Sequence, residues 1–470
     1  MSPSRPIAAL LLAAGKSTRM RSARPKAVHS LCGRPLLAYP LSALRGLGID
    51  RAIVVVGWHA EQVVEVAEAW SELPVGFAVQ EEPRGTGHAA LCGIRALEGF
   101  EGEVLVLNGD LPLLSGSTLR RLLERHLAEE AVLTVLTAEL DDPSGYGRIV
   151  RDGGAVLRVV EEKDATEAQR RIREVNVGVY CARCEFLRTA LVDLRPDNVQ
   201  GELYLTDLVG AAAERGLRVV AVPAAPEEVA QVNTREELAK MEEHLRERIV
   251  RSWMDRGVTF LDPRTAYVEA DVTIGPDTTV GPNVQLRGKT TVGARCRIDG
   301  TAYLENASVG DDVRLRFGVV VVDSEIGASC EVGPFAHVRA GSVLEEGAIV
   351  GNFVETKKTR LGRRSKARHL AYLGDSEIGE DTNVGAGTIT CNYDGFRKHR
   401  TRIGSRVMIG SDSQLVAPVS VGDDAYVATG TTVRHDVPPG ALVYNPKTEK
   451  HRQGWVEARR RREKSEDEDS

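Results

Sequence analysis

The sequence has 470 residues, of which 42% are hydrophobic and 27% are charged, and its formal net charge is −6. A chain of this length exceeds one ordinary hydrophobic core, so we expect at least two domains. The composition excludes a disordered or fibrous protein, and the negative charge argues against a general nucleic-acid binder.

The first apolar run, residues 7–14, is too short to span a bilayer, and no signal-peptide cleavage pattern follows it. The seven cysteines are scattered and odd in number, which fits a reducing cytosol better than a disulfide framework. Cys181 and Cys184 form a lone C-x-x-C, which we interpret as two structural thiols. These features predict a cytoplasmic protein that associates with neither membranes nor nucleic acids.

From residue 7 to about 230, short apolar runs alternate with amphipathic stretches, a pattern typical of strands separated by crossover helices. The predicted strands are 7–13, 52–57, 104–107, 131–137, 175–181 and 217–222. Their near-continuous Val, Ile and Leu residues predict a mostly parallel sheet with helices on both faces. We therefore expect a Rossmann-like α/β domain over residues 1–233, with ligands beyond the carboxyl ends of its strands.

The segment 12–26, LAAGKSTRMRSARPK, follows the first predicted strand directly. Its small residues expose backbone N–H groups, and Lys16, Arg19 and Lys26 add positive charge, which predicts a phosphate-binding loop. Such turns also occur without ligands, and the segment is not a Walker A loop.

Four later loops after strands also carry polar residues: Gln80 with 85–87, then 107–110, 145–148 and 161–176. Asp110 follows an apolar strand and is well placed to hold Mg²⁺ against a triphosphate. The alternative, Asp110 as an ordinary turn or N-cap residue, is equally compatible with its position.

Residues 234–255 have helical periodicity, with Thr234 at a plausible N-cap and Glu236 and Glu237 after it. We expect a helix that connects the two halves, and a helix packed on the first domain is compatible with the same pattern.

Beyond residue 271 the hydrophobic period becomes six. The recurring aliphatic residues are Ile274, Val280, Leu286, Val292, Ile298 and Leu304, then Val332, Val338, Leu344 and Val350, then Ile403, Ile409, Leu415, Val421, Val427 and Val433. A hexapeptide repeat of this kind predicts a left-handed parallel β-helix, here over residues 256–455. The period breaks at 391–402, where we expect a protruding loop, and residues 456–470 are predicted to be a disordered charged tail.

The motifs Leu12-Ala13-Ala14-Gly15, Thr18-Arg19-Met20 and Pro25-Lys26 resemble the signature of sugar-1-phosphate nucleotidyltransferases. From about residue 7 to residue 455, the chain resembles the bifunctional bacterial GlmU family. The resemblance implies acetyl transfer from acetyl-CoA to glucosamine 1-phosphate, followed by uridylyl transfer from UTP to N-acetylglucosamine 1-phosphate. The product, UDP-N-acetylglucosamine, is a precursor of peptidoglycan and lipopolysaccharide.

The resemblance also implies the residues of the uridylyl-transfer site. Those that bind the nucleotide and the sugar would be Leu12, Ala13, Ala14, Gly15, Lys26, Gln80, Gly85, Thr86, Asn108, Gly109, Asp110, Gly147, Glu161, Asn176 and Asn233. Arg19 and Lys26 would be catalytic, and Asp110 and Asn233 would be the Mg²⁺ ligands. Ser17 departs from the glycine usual in the family, and we expect any effect to fall on rates.

For acetyl transfer, the resemblance implies that His369 is the general base. Arg339, Lys357, Tyr372 and Asn383 would bind glucosamine 1-phosphate, and Ala386, Asn392, Tyr393, Ser411, Thr429 and Lys447 would bind acetyl-CoA. Thr429 and Pro446 stand where the family often has Ala and Arg, and Lys447 or Arg452 could replace the missing charge. The resemblance also implies a homotrimer in which neighbouring subunits share each acetyl site.

Two alternatives remain at this point. A single-activity nucleotidyltransferase with a structural β-helix would not need His369, Lys357 or the Asn392-Tyr393 pair. A noncatalytic assembly subunit would not need Arg19, Lys26 and Asp110.

Overall fold

The computed structural model describes residues 5–16 and 18–468, so Ser17 lies outside the described residues. The chain divides into two compact units. The first comprises Met1–Arg251 with Val268–Ala270, and the second comprises Ser252–Tyr267 with Asp271–Ser470. The helix predicted to connect the halves therefore belongs to the first unit as far as Arg251.

A nine-stranded sheet forms the centre of the first unit. Its strands are β1 (Ile7–Leu12), β2 (Arg51–Val56), β3 (Val75–Val79), β4 (Glu103–Asn108), β5 (Leu133–Glu139), β6 (Gly147–Asp152), β7 (Ala155–Val160), β8 (Glu174–Arg183) and β9 (Val219–Pro223). They lie in the order β9-β5-β8-β4-β1-β2-β3, with β6 pairing with β8 and β7. All six strands predicted from the sequence are confirmed.

Most strands of this sheet run in one direction, as predicted, but β8 and β7 run in the opposite direction. Strands β4, β1, β2 and β3 are parallel, as are β9 and β5. Strand β8 runs antiparallel to β4, β5 and β6, and β6 and β7 form an antiparallel ribbon. The sheet is therefore mixed. The sequence does not show which strands are reversed, because a strand that is buried on both faces has the same apolar sequence whichever way it runs.

Helices cover both faces of this sheet. The α-helices between residues 38 and 254 are α1 (Ala38–Ala43), α2 (Ala60–Trp70), α3 (Thr86–Ala96), α4 (Gly116–Ala128), α5 (Glu167–Arg170), α6 (Cys184–Asp193), α7 (Asp207–Glu214) and α8 (Arg235–Met254), and α1–α4, α6 and α7 pack on the sheet. Leu10 packs in one buried cluster with α3, α6 and α7, whereas Leu11 packs in another with α1, α2 and α4. The apolar strands are thus buried on both sides, as their composition predicts.

Helix α8 begins at the capping signal seen in the sequence. The hydroxyl of Thr234 accepts a hydrogen bond from the backbone N–H of Glu237 at 3.1 Å. The Glu237 carboxylate in turn accepts from the N–H groups of Thr234 at 3.0 Å and Asn233 at 2.6 Å. This reciprocal cap fixes Asn233 immediately before the helix.

The second unit is a parallel β-helix of three sheets, which we call the first, second and third faces. The first face consists of Thr259–Phe260, Thr279–Val280, Arg297–Ile298, Arg314–Leu315, Glu331–Val332, Ile349–Asn352, Lys366–His369, Asn383–Val384, Met408–Ile409, Tyr426–Val427 and Leu442–Val443. The second consists of Tyr267–Val268, Gln285–Arg287, Tyr303–Glu305, Val320–Val322, His337–Arg339, Glu355–Lys357, Tyr372–Gly374, Ile389–Cys391, Gln414–Val416 and Thr432–Val433. The third consists of Thr273–Ile274, Thr291–Val292, Ser308–Val309, Glu325–Ile326, Val343–Leu344, Arg360–Leu361, Ser376–Ile378, Thr401–Ile403 and Val419–Val421.

The hexapeptide repeat accounts for the interior of this unit. Every aliphatic residue named for the repeat is at most 5% exposed. Equivalent residues of neighbouring coils stack on one another, as Val332 does on Val350. The predicted left-handed β-helix is confirmed.

The predicted loop is also confirmed, as an excursion between Ile389–Cys391 on the second face and Thr401–Ile403 on the third. Within it, Tyr393 pairs with Lys398 in an isolated bridge.

In the charged C-terminal segment, Trp455–Glu468 forms helix α9. Its Ala, Glu and Arg residues have high intrinsic helix propensity, and Arg459 donates to Glu463 one turn later at 2.8 Å.

Candidate active sites

A cavity of about 490 Å³ lies at the carboxyl ends of β1 and β4. Its walls contain thirteen of the residues predicted for uridylyl transfer: Leu12, Ala13, Ala14, Gly15, Arg19, Lys26, Gln80, Gly85, Thr86, Asn108, Gly109, Asp110 and Asn233. We call this space the nucleotide cavity. Its position agrees with the rule that parallel strands present ligands beyond their carboxyl ends.

Lys26 links the two predicted metal ligands inside this cavity. Its ammonium group donates to the amide oxygen of Asn233 at 2.9 Å and forms an ion pair with Asp110. Arg19 donates to the same Asn233 oxygen at 3.0 Å. Two cations and two oxygen ligands therefore meet at one point, where phosphates of a bound nucleotide would be neutralised.

The second oxygen of Asp110 has an unusual environment. Its Oδ1 atom is buried and has no hydrogen-bond partner within the described residues. A buried acceptor left unpaired is costly unless an ion or water satisfies it, and a carboxylate oxygen is a preferred ligand of hard divalent cations. Asp110 and Asn233 therefore fit a cation that takes its remaining ligands from phosphates and water.

The loop before α3 is held in one conformation. Gly85 has a φ of +104°, and a side-chain carbon there would lie 2.5 Å from the carbonyl oxygen of Leu203. The buried Gln80 donates to the carbonyl of Gly85 at 3.1 Å, and the Thr86 hydroxyl accepts from the N–H of Leu205 at 3.1 Å. These contacts fix Gly85 and Thr86, which line the nucleotide cavity at the start of α3.

A second cavity of about 140 Å³ adjoins the first and contains Gly147, Glu161 and Asn176, the residues predicted to contact the sugar. We call it the sugar cavity. Its walls also include Gly145 and Tyr146 of the predicted polar loop 145–148, together with residues that the sequence analysis missed, namely Gly178, Tyr180, Leu205, Thr206 and Gln231. Burial raises the pKa of Glu161, with Asp207 and Asp164 adding to the effect, while the Thr206 hydroxyl donates to it at 3.0 Å.

A bulge in β8 shapes the sugar cavity. The pairing of β8 with β5 shifts between Asn176 and Tyr180, and Gly178 in between has a φ of +82°. A side-chain carbon on Gly178 would lie 2.3 Å from the amide nitrogen of Asn108. The isolated glycine in a valine-rich strand was the sequence signal for this bulge.

The predicted acetyl-transfer residues lie on the β-helix. His369 ends a strand of the first face, two positions after the inward-pointing Ala367. Ala386, Ser411 and Thr429 occupy the same position on the next three coils, as the strand register shows. His369 therefore heads a column of predicted acetyl-CoA residues along one corner of the β-helix.

The second face brings together the residues predicted for the sugar phosphate. Arg339 and Lys357 occupy equivalent positions on consecutive coils. The neighbouring ammonium of Lys398, a residue that the sequence analysis missed, lowers the pKa of Lys357, and Arg339 adds to the effect. Such clustered cations favour an anion between them.

Tyr372 and the Asn392-Tyr393 pair lie further along this face and in the loop beside it. The amide nitrogen of Asn392 donates to Asp375 at 2.5 Å and lies 3.5 Å from the Tyr372 hydroxyl. Tyr393 is exposed, and its hydroxyl donates to the carbonyl of Gly395 at 2.6 Å.

Two predicted residues lie apart from the second face. Asn383 is on the first face, where its amide nitrogen lies 3.3 Å from the sulfur of Met408. Lys447 is exposed near the end of the coils and donates to the carbonyl of Gly430 at 2.8 Å. Within one chain, the predicted glucosamine 1-phosphate ligands are therefore divided between two faces.

Comparisons with known proteins agree with this geometry. The model of the MobA-like NTP transferase domain matches residues 9–190, the GMPPB C-terminal domain matches 263–366, and the hexapeptide repeat of succinyl-transferase matches 400–434. The bifunctional protein GlmU of Geotalea uraniireducens is 47% identical over 451 residues, which cover 96% of this chain and 98% of that protein. The chain belongs to the GlmU family. The GlmU protein of Pelobacter propionicus is 48% identical with the same coverage, and that of Corynebacterium diphtheriae is 45% identical over 96% of this chain and 94% of that protein.

Membership of the GlmU family, with both halves matched, confirms the predicted bifunctional synthesis of UDP-N-acetylglucosamine from small-molecule substrates. It decides against a single-activity enzyme and a noncatalytic subunit. The GlmU nucleotidyltransferase half is consistent with metal dependence. No helix within residues 5–16 and 18–468 has the length and apolar character needed to cross a membrane.

Proposed function

We propose that the nucleotide and sugar cavities are the uridylyl-transfer site and that the β-helix cluster is the acetyl-transfer site. The observation that carries the first assignment is the meeting of Lys26, Asp110 and Asn233 in the nucleotide cavity. UTP would occupy that cavity, with its phosphates near Arg19 and Lys26, and the N-acetylglucosamine group would contact Gly147, Glu161 and Asn176.

Uridylyl transfer needs alignment and charge neutralisation more than covalent help from the protein. A phosphate oxygen of N-acetylglucosamine 1-phosphate forms a bond to the α-phosphorus of UTP, and the bond to the pyrophosphate leaving group breaks. Lys26 and Arg19 neutralise charge on the phosphates. The sugar cavity holds the nucleophile in line.

We propose that the metal ion is Mg²⁺ and that Asp110 and Asn233 hold it. The unpartnered Asp110 oxygen and the oxygen-only ligand set support a hard cation. When bound, Mg²⁺ supplies positive charge that orients and neutralises the triphosphate.

In acetyl transfer, the amine of glucosamine 1-phosphate attacks the thioester carbon of acetyl-CoA, and CoA thiolate leaves. His369 accepts a proton from the amine as the nitrogen attacks, so no covalent acyl-enzyme is needed. Lys357 and Arg339 hold the phosphate. The corner column from Ala386 to Thr429 would carry CoA along the β-helix, with Asn392, Tyr393 and Lys447 at its sides.

We propose that the protein acts as a homotrimer. Arg339, Lys357 and Tyr372 are on the second face, whereas Asn383 is on the first. Side chains on different faces of a β-helix point in different directions, so one small substrate meets both sets most simply between two chains.

An exposed aromatic ladder supports the same conclusion. Phe317, Phe335 and Phe353 are half-exposed, and consecutive ring centroids are 5.6 Å apart. Leu370, exposed beside His369, lies one coil beyond Phe353. A contiguous apolar strip of this kind is typical of a protein interface.

We further propose a cytoplasmic location. All seven cysteines, each within the described residues, are free thiols. Scattered reduced cysteines are typical of proteins in a reducing compartment.

The experiment that tests these assignments is an assay of separate variants for each reaction. Asp110→Asn should abolish pyrophosphate release from UTP and N-acetylglucosamine 1-phosphate, while CoA release from acetyl-CoA and glucosamine 1-phosphate continues. His369→Ala should do the reverse. Loss of both activities in either well-folded variant would contradict the assignment of two independent sites.

A further inference from the structure

The nucleotide and sugar cavities share part of their walls. Three residues line both of them: Thr86, Asn108 and Gln231. UDP-N-acetylglucosamine joins its uridine to its sugar through a diphosphate. If uridine occupies one cavity and the sugar the other, this diphosphate crosses the shared boundary, so the three residues surround the bond that forms.

Two of these residues are already engaged in shaping the boundary. The Thr86 hydroxyl accepts a hydrogen bond from the backbone of Leu205, and the Asn108 amide lies against Gly178 in the β8 bulge. They fix the wall through contacts within the protein.

Gln231 has more hydrogen-bonding capacity than its protein contacts use. Its amide nitrogen donates to the carbonyl of Val177 at 3.3 Å, which is a long hydrogen bond. A carboxamide carries two N–H donors and a carbonyl acceptor, so among the described residues one donor of Gln231 is left for a ligand. Gln231 is half-buried and lies two residues before Asn233, at the same edge of the nucleotide cavity.

We propose that the Gln231 carboxamide is a substrate ligand that donates a hydrogen bond to the phosphate of N-acetylglucosamine 1-phosphate. This inference rests on the proposed assignment of the two cavities. The neutral side chain of Gln231 suits that position. A cation there would attract electron density from the attacking phosphate oxygen and make it a weaker nucleophile. A neutral amide orients the nucleophile without weakening it, while Arg19 and Lys26 supply charge in the nucleotide cavity.

The test compares Gln231→Ala and Gln231→Glu with the wild type by calorimetric titration of UMP and of UDP-N-acetylglucosamine. UMP lacks the sugar phosphate, so its Kd should stay within twofold. The Kd of UDP-N-acetylglucosamine should rise about tenfold for Gln231→Ala, as expected for one hydrogen bond to a charged group. It should rise further for Gln231→Glu, because a carboxylate would face the phosphate.

Kinetics provide a second readout. In both variants the KM for N-acetylglucosamine 1-phosphate should rise while the KM for UTP and the acetyl-transfer rate stay unchanged. Gln62→Ala, a glutamine change on α2 away from both cavities, is the matched control and should behave as wild type.

Three outcomes would count against the inference, and they are distinguishable. Unchanged UDP-N-acetylglucosamine binding in both Gln231 variants would exclude a ligand role. Equal weakening of UMP and UDP-N-acetylglucosamine would show that Gln231 does not act through the sugar phosphate. If Glu161→Ala also leaves UDP-N-acetylglucosamine binding unchanged, the cavity assignment itself is wrong.

Discussion

Replacing Lys26 with methionine removes an ammonium group that contacts both proposed metal ligands. The change keeps the length and most of the apolar stem of the side chain. Loss of one preorganised charge that stabilises a transition state typically costs about 10²–10³-fold in turnover. We therefore expect uridylyl transfer to fall by that factor while acetyl transfer stays within twofold of wild type.

The same change should also destabilise the first unit. The Lys26 and Asp110 side chains are only 18% and 13% exposed. Removing one partner of a fully buried pair costs about 3–5 kcal/mol, so the partly hydrated pair here should cost roughly 1–3 kcal/mol. The double variant Lys26→Met/Asp110→Asn leaves no uncompensated carboxylate, so it should recover stability without recovering activity.

Pyrophosphate release measures the first reaction, thiol release from acetyl-CoA measures the second, and urea unfolding measures stability. A Lys26→Met enzyme that retains more than a tenth of its uridylyl-transfer rate would refute the role assigned to this ammonium. A double variant as inactive but no more stable than Lys26→Met would refute the account of the ion pair.

Three further predictions concern single features of the two units. His369→Ala should lower acetyl transfer about 10²–10⁴-fold and spare uridylyl transfer, with residual CoA release rising with pH as the amine loses its proton. A rate near wild type at neutral pH would make His369 structural only. Burial raises the pKa of Glu161 in the folded protein, so its ionised carboxylate lowers the free energy of unfolding. This loss is fully present above the folded pKa and disappears below the ordinary carboxyl pKa. Glu161→Gln should therefore raise the melting temperature of the first unit at pH 8, and this gain should vanish in acid. A lower melting temperature of the variant at pH 8 would contradict this reasoning. If the protein is the proposed trimer, Phe335→Asp/Phe353→Asp should convert it to monomers in light scattering and abolish acetyl transfer. Val192→Asp, an exposed site in the other unit, should change neither property. A double variant that remains trimeric would show that the aromatic ladder is not the interface.

The features that the sequence predicted well are those with a short, regular period. In the β-helix, every sixth residue points inward, so Val332 and Val350 can be stacked by counting alone. In the first unit, apolar runs such as β1 locate the strands, and polar residues just after them locate the nucleotide cavity. These inferences need no knowledge of long-range contacts.

The features that the sequence did not predict depend on pairing between distant segments. The antiparallel direction of β8 is not encoded in its apolar residues, and neither is the approach of Gly178 to Asn108. The bulge that brings them together forms only when β8 pairs with β5.

Lys398 was missed for a related reason. It reaches Lys357 because the loop folds back on itself around Asp394. The Asp394 carboxylate accepts hydrogen bonds from the N–H groups of Arg397 and Phe396 and contacts His399, and these interactions lower its pKa to about 2. A loop conformation of this kind follows from local hydrogen bonds that the repeat pattern does not contain.

The central claim is that one chain carries two independent active sites, and mixing two inactive variants tests it most directly. Asp110→Asn should acetylate glucosamine 1-phosphate but make no UDP-N-acetylglucosamine, and His369→Ala should be unable to start from glucosamine 1-phosphate. Supplied together with acetyl-CoA, UTP and Mg²⁺, the two variants should restore UDP-N-acetylglucosamine synthesis, because the acetylated intermediate diffuses from one protein to the other. A mixture that makes no product, from variants that are each well folded, would contradict the account.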